Sequence, residues 1–318
     1  MTPTVDVVIP THNGWHLTKK CLERLQAQTA GHTVIVVDNA STDGTPNNVR
    51  SRFEGVRVVK LDSNRGFSSA CNAGVRAGTG DVVVLLNNDV ECRPDFLERI
   101  VSRFRDDKRL GSVSALLLTP SEDRIDSFGL VADSTLAGYP RLQGLPPAAA
   151  RSATSLPLGP AGAAGAYRRA AWDEVGGLDE NVFSYGEDLD LALRLRAAGW
   201  STAAVADAVA IHIGSASAGR RSSWQRYQGG FGRGYFLQRY GVFRGRNAPR
   251  ALLTEAIAVL GDGLVFSHDL AALRGRLAGW RAARGLPRKP EPPRDAVDGG
   301  ITFTKSLRLR LGVYRNDR

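Results

Sequence analysis

Three short runs of β-branched and aliphatic residues restrict the fold of this chain more than any other feature: Val5-Asp6-Val7-Val8-Ile9, Val34-Ile35-Val36-Val37 and Asp81-Val82-Val83-Val84-Leu85-Leu86. Each is too short and too β-branched for a helix, and each stops at polar or helix-breaking residues: Pro10, Asp38-Asn39 and Asn87-Asn88-Asp89. Strands apolar at nearly every position are buried on both faces, the mark of a parallel sheet covered by helices. Leu17, Cys21, Leu22 and Leu25 fall between the first two at helical spacing, so the chain opens with a βαβ unit. A further strand is predicted over Val56 to Leu61, then a small-residue helix from Ser68 to Ala77, and a helix from about Pro94 to Arg105. Gly138 to Gly165, rich in Pro, Ala and Gly, reads as a long loop, with regular structure resuming at Arg168 to Val175. A nearly all-apolar helix is expected from Glu187 to Ala198, an apolar strand closes at His212, and Glu291 to Gly300 is expected to be poorly ordered.

Charge divides the chain in two. Residues 1–219 carry 22 Lys and Arg against 25 Asp and Glu, whereas residues 220–318 carry 20 against 7, so the overall charge of +10 belongs to the last third. We therefore expect an α/β domain over 1–219 and a basic, Arg- and aromatic-rich, mainly helical extension over 220–318. The three cysteines, Cys21, Cys71 and Cys92, form no C-x-x-C pair, which excludes a disulfide scaffold and a cysteine metal site and suits a reducing, cytoplasmic compartment. No secretory signal is read at the N-terminus, and no stretch reaches the roughly 18 apolar residues that span a bilayer. The expected location is the cytoplasm, on the inner face of the cell membrane.

In a parallel α/β sheet ligands bind beyond the carboxyl ends of the strands. Those tips are polar here: Pro10-Thr11-His12-Asn13-Gly14, Asp38-Asn39-Ala40-Ser41-Thr42-Asp43, Asn64-Arg65-Gly66-Phe67 and Asn87-Asn88-Asp89. Asp38 is suited to a base or ribose hydroxyl, or equally to capping a turn. Asn64-Arg65-Gly66, before a helix, offers amides and a guanidinium to an anion. An oxygen-rich tip at Asn87-Asn88-Asp89 can hold a hard divalent cation that takes its remaining ligands from phosphates and water. Neither G-x-G-x-x-G nor a phosphate-binding Lys-Ser/Thr loop is present. In Gly186-Glu187-Asp188-Leu189-Asp190 three acids crowd the first turn of a buried helix, more than capping requires, so one of them is a candidate general base, while Asp190 can pair with Arg194. His212 ends an apolar strand and is either a core residue or a partner of Asp89.

The order of these motifs resembles the inverting, family 2 glycosyltransferases with the GT-A fold, over roughly residues 4–215. Val-Val-Ile-Pro-Thr-His-Asn at 7–13, Val-Val-Asp-Asn-Ala-Ser-Thr-Asp-Gly-Thr at 36–45, Asn-Arg-Gly-Phe-Ser-Ser-Ala-Cys-Asn-Ala-Gly at 64–74, Leu-Leu-Asn-Asn-Asp-Val at 85–90 and the Gly-Glu-Asp-Leu-Asp-Leu helix from 186 carry it. The Asn-Asn-Asp and Gly-Glu-Asp-x-Asp-Leu forms look most like the rhamnosyltransferase branch. The resemblance implies an α/β, Rossmann-like, mostly parallel sheet. It places Thr11, Asn13, Asp38, Asn64, Gly66 and Asn72 around the nucleotide, with Arg65 a helper at the diphosphate. It also sets Asn88 on the donor, Asp89 and His212 on Mg²⁺ or Mn²⁺, and Asp188, beside Glu187, as the catalytic base. Positions 87 and 88 are both Asn where many relatives carry a further acid, which leaves the choice between Mg²⁺ and Mn²⁺ open.

The implied donor is dTDP-rhamnose, with a UDP-hexose or UDP-N-acetylhexosamine as alternatives, and the implied acceptor is a glycan or a polyprenyl-diphosphate-linked sugar. A sugar-nucleotide pyrophosphorylase would need a Gly- and Arg-rich loop that Thr11-His12-Asn13-Gly14 does not supply. In the basic extension Arg220, Arg221, Arg226, Arg233 and Arg239 interleave with Trp224, Tyr227, Phe231, Tyr235 and Phe236. Nucleic acid could be bound that way, but an anionic membrane surface is the favoured partner, and a helix packed on the catalytic domain is the plain alternative.

Overall fold

The computed structural model describes residues 2–214, 222–266 and 268–310. Arg220, Arg221 and the expected domain boundary at 219–220 lie outside the described residues. From the N-terminus, β1 (Val5–Thr11), α1 (Trp15–Gln26), β2 (Thr33–Asp38), α2 (Thr45–Arg52), β3 (Arg57–Lys60), α3 (Gly66–Ala77) and β4 (Val82–Leu86) form the expected alternating unit. Strands β3, β2, β1 and β4 lie side by side and parallel. Period-two alternation assigns the core: Val82, Val84 and Leu86 pack on one face of the sheet, Val83 and Leu85 on the other.

The second half completes the sheet differently. After β5 (Val90–Cys92), α4 (Phe96–Asp106), β6 (Leu110–Leu118) and β7 (Ile125–Ser127), a two-stranded ribbon forms from β8 (Leu130–Ala132) and β9 (Gly138–Pro140). The short helix α5 (Ala148–Ser152) and then β10 (Ala164–Arg168) interrupt what reads as one long loop. β10 is a central strand, running antiparallel between β4 and β6. Its Ala-Gly-Ala-Tyr sequence has little strand propensity; pairing on both sides outweighs that local preference. Helix α6 (Arg169–Val175), helix α7 (Glu187–Ala197) and the twelve-residue β11 (Ser201–His212) follow, and β11 pairs parallel with β6 and antiparallel with β5. Helices α1 and α4 cover one face through Leu22, Leu25, Phe96 and Ile100. Helices α3, α6 and α7 cover the other through Ala70, Val75, Trp172, Leu191 and Leu195.

The basic end is helical: α8 (Ser223–Arg239), α9 (Ala248–Leu260), α10 (Ala271–Ala282) and α11 (Phe303–Arg310). Helices α8 and α10 pack backbone to backbone, since a Cβ on Gly234 would run into the carbonyl of Arg276 and one on Gly279 into that of Phe231. Charge then ties this end to the rest of the chain. Lys289 reaches Asp179 at 2.7 Å and Asp190 at 2.6 Å, and Asp190 also holds Arg194 at 2.7 Å. Glu291 to Gly300 is not loose as expected: Ala296 is buried and the Asp298 amide donates to Ala132 O at 2.8 Å, docking the segment on β8. No described helix is long and apolar enough to cross a membrane.

Candidate active site

The polar tips of β1, β2 and β4 meet at one rim of the sheet, where hydrogen bonds across the tips fix their spacing. The Asn39 amide donates to Thr11 O, its side-chain Nδ2 donates to Asn64 Oδ1 at 2.9 Å, and its Oδ1 accepts the Arg65 amide at 2.8 Å. Asn88 Nδ2 donates to Thr11 Oγ1 at 3.1 Å and Thr18 Oγ1 at 3.3 Å. Gly66 adopts a positive φ of 82°, and any Cβ there would strike Phe183, so the turn into α3 needs glycine. The result is a cavity of about 830 Å³ lined by Thr11, Asn13, Asn64, Gly66, Asn88, Asp89 and His212. Phe67, Phe183, Tyr185 and Trp224 supply its aromatic wall. This is room enough for a nucleotide sugar.

Three residues expected in this pocket lie outside it. Asp38 ends β2 fully buried, Oδ1 accepting the Ser41 amide at 3.2 Å and Oδ2 without a partner. Arg65 turns its half-exposed guanidinium to Glu180 at 3.6 Å. Asn72 is used up inside the protein, donating to Leu178 O and Glu180 Oε1 and accepting the Leu178 amide, so it anchors the 178–180 loop on α3.

Asp89 and His212 meet at the cavity floor, with His212 Nε2 3.5 Å from Asp89 Oδ1. That oxygen is buried without a hydrogen-bond partner. The pairing follows from β11 running antiparallel to β5, with His212 opposite Val90. On its other side His212 Nδ1 is 2.8 Å from Asp126 Oδ2. Burial alone would lower the imidazole pKa, but the hydrogen bond to Asp126 and the nearby Asp89 carboxylate outweigh it and push the group up to about 9. Two ligands of one small cation stand about 3 Å apart, so an orphan carboxylate oxygen and a ring nitrogen at this separation fit Mg²⁺ or Mn²⁺. The described residues provide no cluster of three His, Cys, Asp or Glu around a metal, so phosphate oxygens and water would have to complete the shell. Asp126 orients the imidazole as the carboxylate behind a metal-bound histidine does. A separation of 86 residues from His212 hides it in the sequence.

The acidic turn lies across the 184–186 segment, facing a second cavity of about 480 Å³ lined by Tyr185, Gly186, Asp188 and residues of the C-terminal helices. Tyr185, at φ 71°, borders both cavities. Asp188 accepts the Gly162 amide on Oδ2 at 2.9 Å and its neighbour's amide on Oδ1 at 2.7 Å. Glu187 lines neither cavity, and its Oε2 is buried without a partner. Burial raises both carboxyl pKa values and Asp188 adds to the rise at Glu187, while backbone amides hold back the rise at each of them.

The raised Glu187 carboxyl has a consequence for stability. A carboxyl whose folded-state pKa is raised stabilises the fold fully below its ordinary value of 4.5 and loses that contribution as pH climbs toward the raised value. The melting temperature of the wild type should fall from mildly acidic to alkaline pH more steeply than that of Glu187→Gln. Parallel thermal melts across this range check it; superimposable pH profiles would assign the proton elsewhere.

A mixed sheet with a polar rim, a cavity floored by a carboxylate and a histidine, and a buried acid on an adjoining cavity define a glycosyltransferase of the GT-A type. The chain belongs to glycosyl transferase family 2: the model of that family matches residues 6–150, and that of glycosyl transferase family group 2 matches residues 82–280. It is 30% identical over 260 residues, 69% of this chain and 79% of the relative, to N-acetylglucosaminyl-diphospho-decaprenol L-rhamnosyltransferase of Mycobacterium tuberculosis. It is 34% identical over 204 residues, 61% of this chain and 39% of the relative, to the pre-mycofactocin glycosyltransferase of the same species. In fold it is similar to a mannosyltransferase from Pyrobaculum calidifontis solved with GDP-Man and Mn²⁺, at a TM-score of 0.56 and 22% identity over 98% of this chain and 86% of that one. It is likewise similar to GalNAc-T7 solved with UDP, GalNAc and Mn²⁺, at 0.58 and 16% identity over 80% of this chain and 54% of that one.

Proposed function

We propose that this glycosyltransferase moves a sugar, with inversion, from a nucleotide-sugar donor in the larger cavity to a hydroxyl of a lipid-linked acceptor reaching Asp188 from the other side. The observation that carries this reading is that the two cavities share Tyr185 as a lining residue. Donor-side candidates line one, and the candidate base lines the other. Thr11, Asn13, Asn64 and Gly66 would hold the nucleotide, Asn88 the donor, and Asp89 with His212 the cation. A divalent cation bound there supplies charge stabilisation for the departing diphosphate.

Asp188 would take the acceptor's proton as its oxygen attacks the anomeric carbon opposite the leaving group. The Gly162 amide donates to the candidate base and holds it in place. No covalent intermediate on the protein is required. The name of the M. tuberculosis relative supports rhamnose as the sugar moved and a polyprenyl-diphosphate-linked sugar as acceptor; dTDP-rhamnose is the donor we propose. The basic C-terminal helices suit the inner face of a membrane, and we assign residues 1–219 to the catalytic domain and 220–318 to this extension.

A thermal-shift screen of nucleotide sugars with Mg²⁺ and with Mn²⁺ tests the donor. A ligand at 100 times its Kd adds about 2.7 kcal/mol, so dTDP-rhamnose should raise the melting temperature measurably. A shift with UDP-sugars alone would refute the rhamnose assignment, and no shift with any nucleotide sugar would refute the donor cavity.

A further inference from the structure

Helix α9 is built inside out. Its buried residues are Ala251, Thr254, Glu255 and Ala258. The Thr254 hydroxyl donates to Arg250 O at 2.9 Å, and Glu255 is held by Arg233, Arg276 and Arg310. The outward arc is apolar instead: Leu252 is 55% exposed, Leu253 52% and Leu260 57%. Ala256 is exposed as well, and Ile257 is half-buried. Helical spacing lines up Leu252, Ala256 and Leu260, with Leu253 and Ile257 beside them, so these side chains form one stripe. A surface helix ordinarily turns its leucines to the core and its glutamate to water. Here the two are exchanged, and a continuous apolar stripe on the outside marks a contact surface.

The surrounding charge identifies what that surface meets. Between residues 240 and 290 the exposed Lys, Arg, Asp and Glu side chains among the described residues are Arg244, Arg246, Arg274, Arg281, Arg284 and Arg288. The acids of the same stretch, Glu255, Asp262 and Asp269, are buried or half-buried, each beside an arginine. Arg244 and Arg246 immediately precede α9. Trp280, near the end of α10, packs on Phe243 with ring centroids 5.5 Å apart, which sets the exposed Arg281 at the same end of α9. Two copies of the chain would bring like charges together across such a face, whereas an anionic lipid surface complements it. The arginines and rings of α8 do not form this surface. Tyr235 and Phe236 are buried, Arg233 is spent on Glu255, and Arg239 on Pro287 O and Asp179.

We infer that α9 is an interfacial helix: Leu252, Leu253 and Leu260 enter the hydrocarbon edge of an anionic lipid surface, while Arg244 and Arg246 meet the headgroup phosphates. This rests on the reading that the basic end is the part of the chain that meets a membrane, and it names the face that does so. Apolar burial and attraction to anionic headgroups then act together, as in other helices that lie in the plane of the interface.

The test is flotation of the full chain with vesicles of phosphatidylcholine and phosphatidylglycerol in equal parts, against vesicles of phosphatidylcholine alone. The wild type should float with the anionic vesicles and far less with the neutral ones. Leu252→Gln, Leu253→Gln and Leu260→Gln combined should weaken partitioning into the anionic vesicles at least tenfold, because three leucines no longer leave water. Arg244→Gln with Arg246→Gln should weaken it by about fivefold per arginine. All five side chains are exposed, so both variants should keep the wild-type melting temperature and nucleotide-sugar binding with Mn²⁺. Cys21, Cys71 and Cys92 are buried, so a polarity-sensitive dye attached to Leu253→Cys reports on α9. Its emission should shift to the blue with anionic vesicles and be quenched by lipids brominated along their chains. If the wild type floats but the leucine variant floats equally well, or the dye does not respond, α9 is not the inserted face and only the membrane reading of the basic end survives. A wild type that stays out of the vesicle layer would bring down that reading and α9 together. A leucine variant that floats like the wild type but turns a lipid-free dimer into a monomer would assign the face to a second copy.

Discussion

Asp188→Asn should lower kcat by three or more orders of magnitude while leaving the Kd for the nucleotide sugar within a few-fold of the wild type. The amide keeps the size of the carboxylate and its single oxygen can still accept from Gly162, which donates to Asp188 Oδ2 at 2.9 Å, while the bond from the Leu189 amide is given up. What disappears is the carboxylate that the Tyr185–Leu189 segment presents to the second cavity. An asparagine cannot take up the acceptor's proton, and general-base assistance alone is worth about 10²–10⁴ in rate. Loss of kcat with unchanged donor affinity is the signature of an interaction made only on the way to the transition state. Single-turnover kinetics with equilibrium titration of the donor measure both quantities. Turnover within tenfold of the wild type would move the base to another residue.

Asp89→Asn should show the reverse pattern, a loss of Mn²⁺-dependent nucleoside-diphosphate binding of at least tenfold to a hundredfold. The Asp89 oxygen nearest His212 is buried and partnerless, a position that costs free energy unless a cation or donor satisfies it. Asparagine removes the charge but keeps the shape, and His212, still held by Asp126 at 2.8 Å, is left as a lone protein ligand. Titration of the nucleoside diphosphate with and without Mn²⁺ gives the metal-dependent part directly. Equal affinities in variant and wild type would show that the cation is held elsewhere.

Much of this site is legible in the chain because strand tips are local. Val82 to Leu86 is apolar without interruption and ends at Asn87, so both the central strand and the position of Asp89 at its tip follow from neighbouring residues. The acid-rich turn at Glu187 is legible for the same reason. Long-range partners are not. β10 is a strand only because β4 and β6 flank it. Asp126 becomes a partner of His212 only when β7 folds onto β6 and β11 pairs beside it. Asn72 sits in a motif that reads as a binding residue, yet the 178–180 loop claims all of its polar atoms. The basic end shows its arginines plainly, but their common carboxylate, Glu255, lies inside an apolar helix where spacing gives no hint of the three guanidiniums around it.

The proposed reading has an acceptor oxygen, activated at Asp188, displace the diphosphate in a single step, and the stereochemistry of the product reports on that step. Nuclear magnetic resonance of the freshly formed glycoside, compared with the donor, gives the anomeric configuration before any later reaction can scramble it. The account predicts the opposite configuration to that of the nucleotide sugar; a product of retained configuration would contradict it.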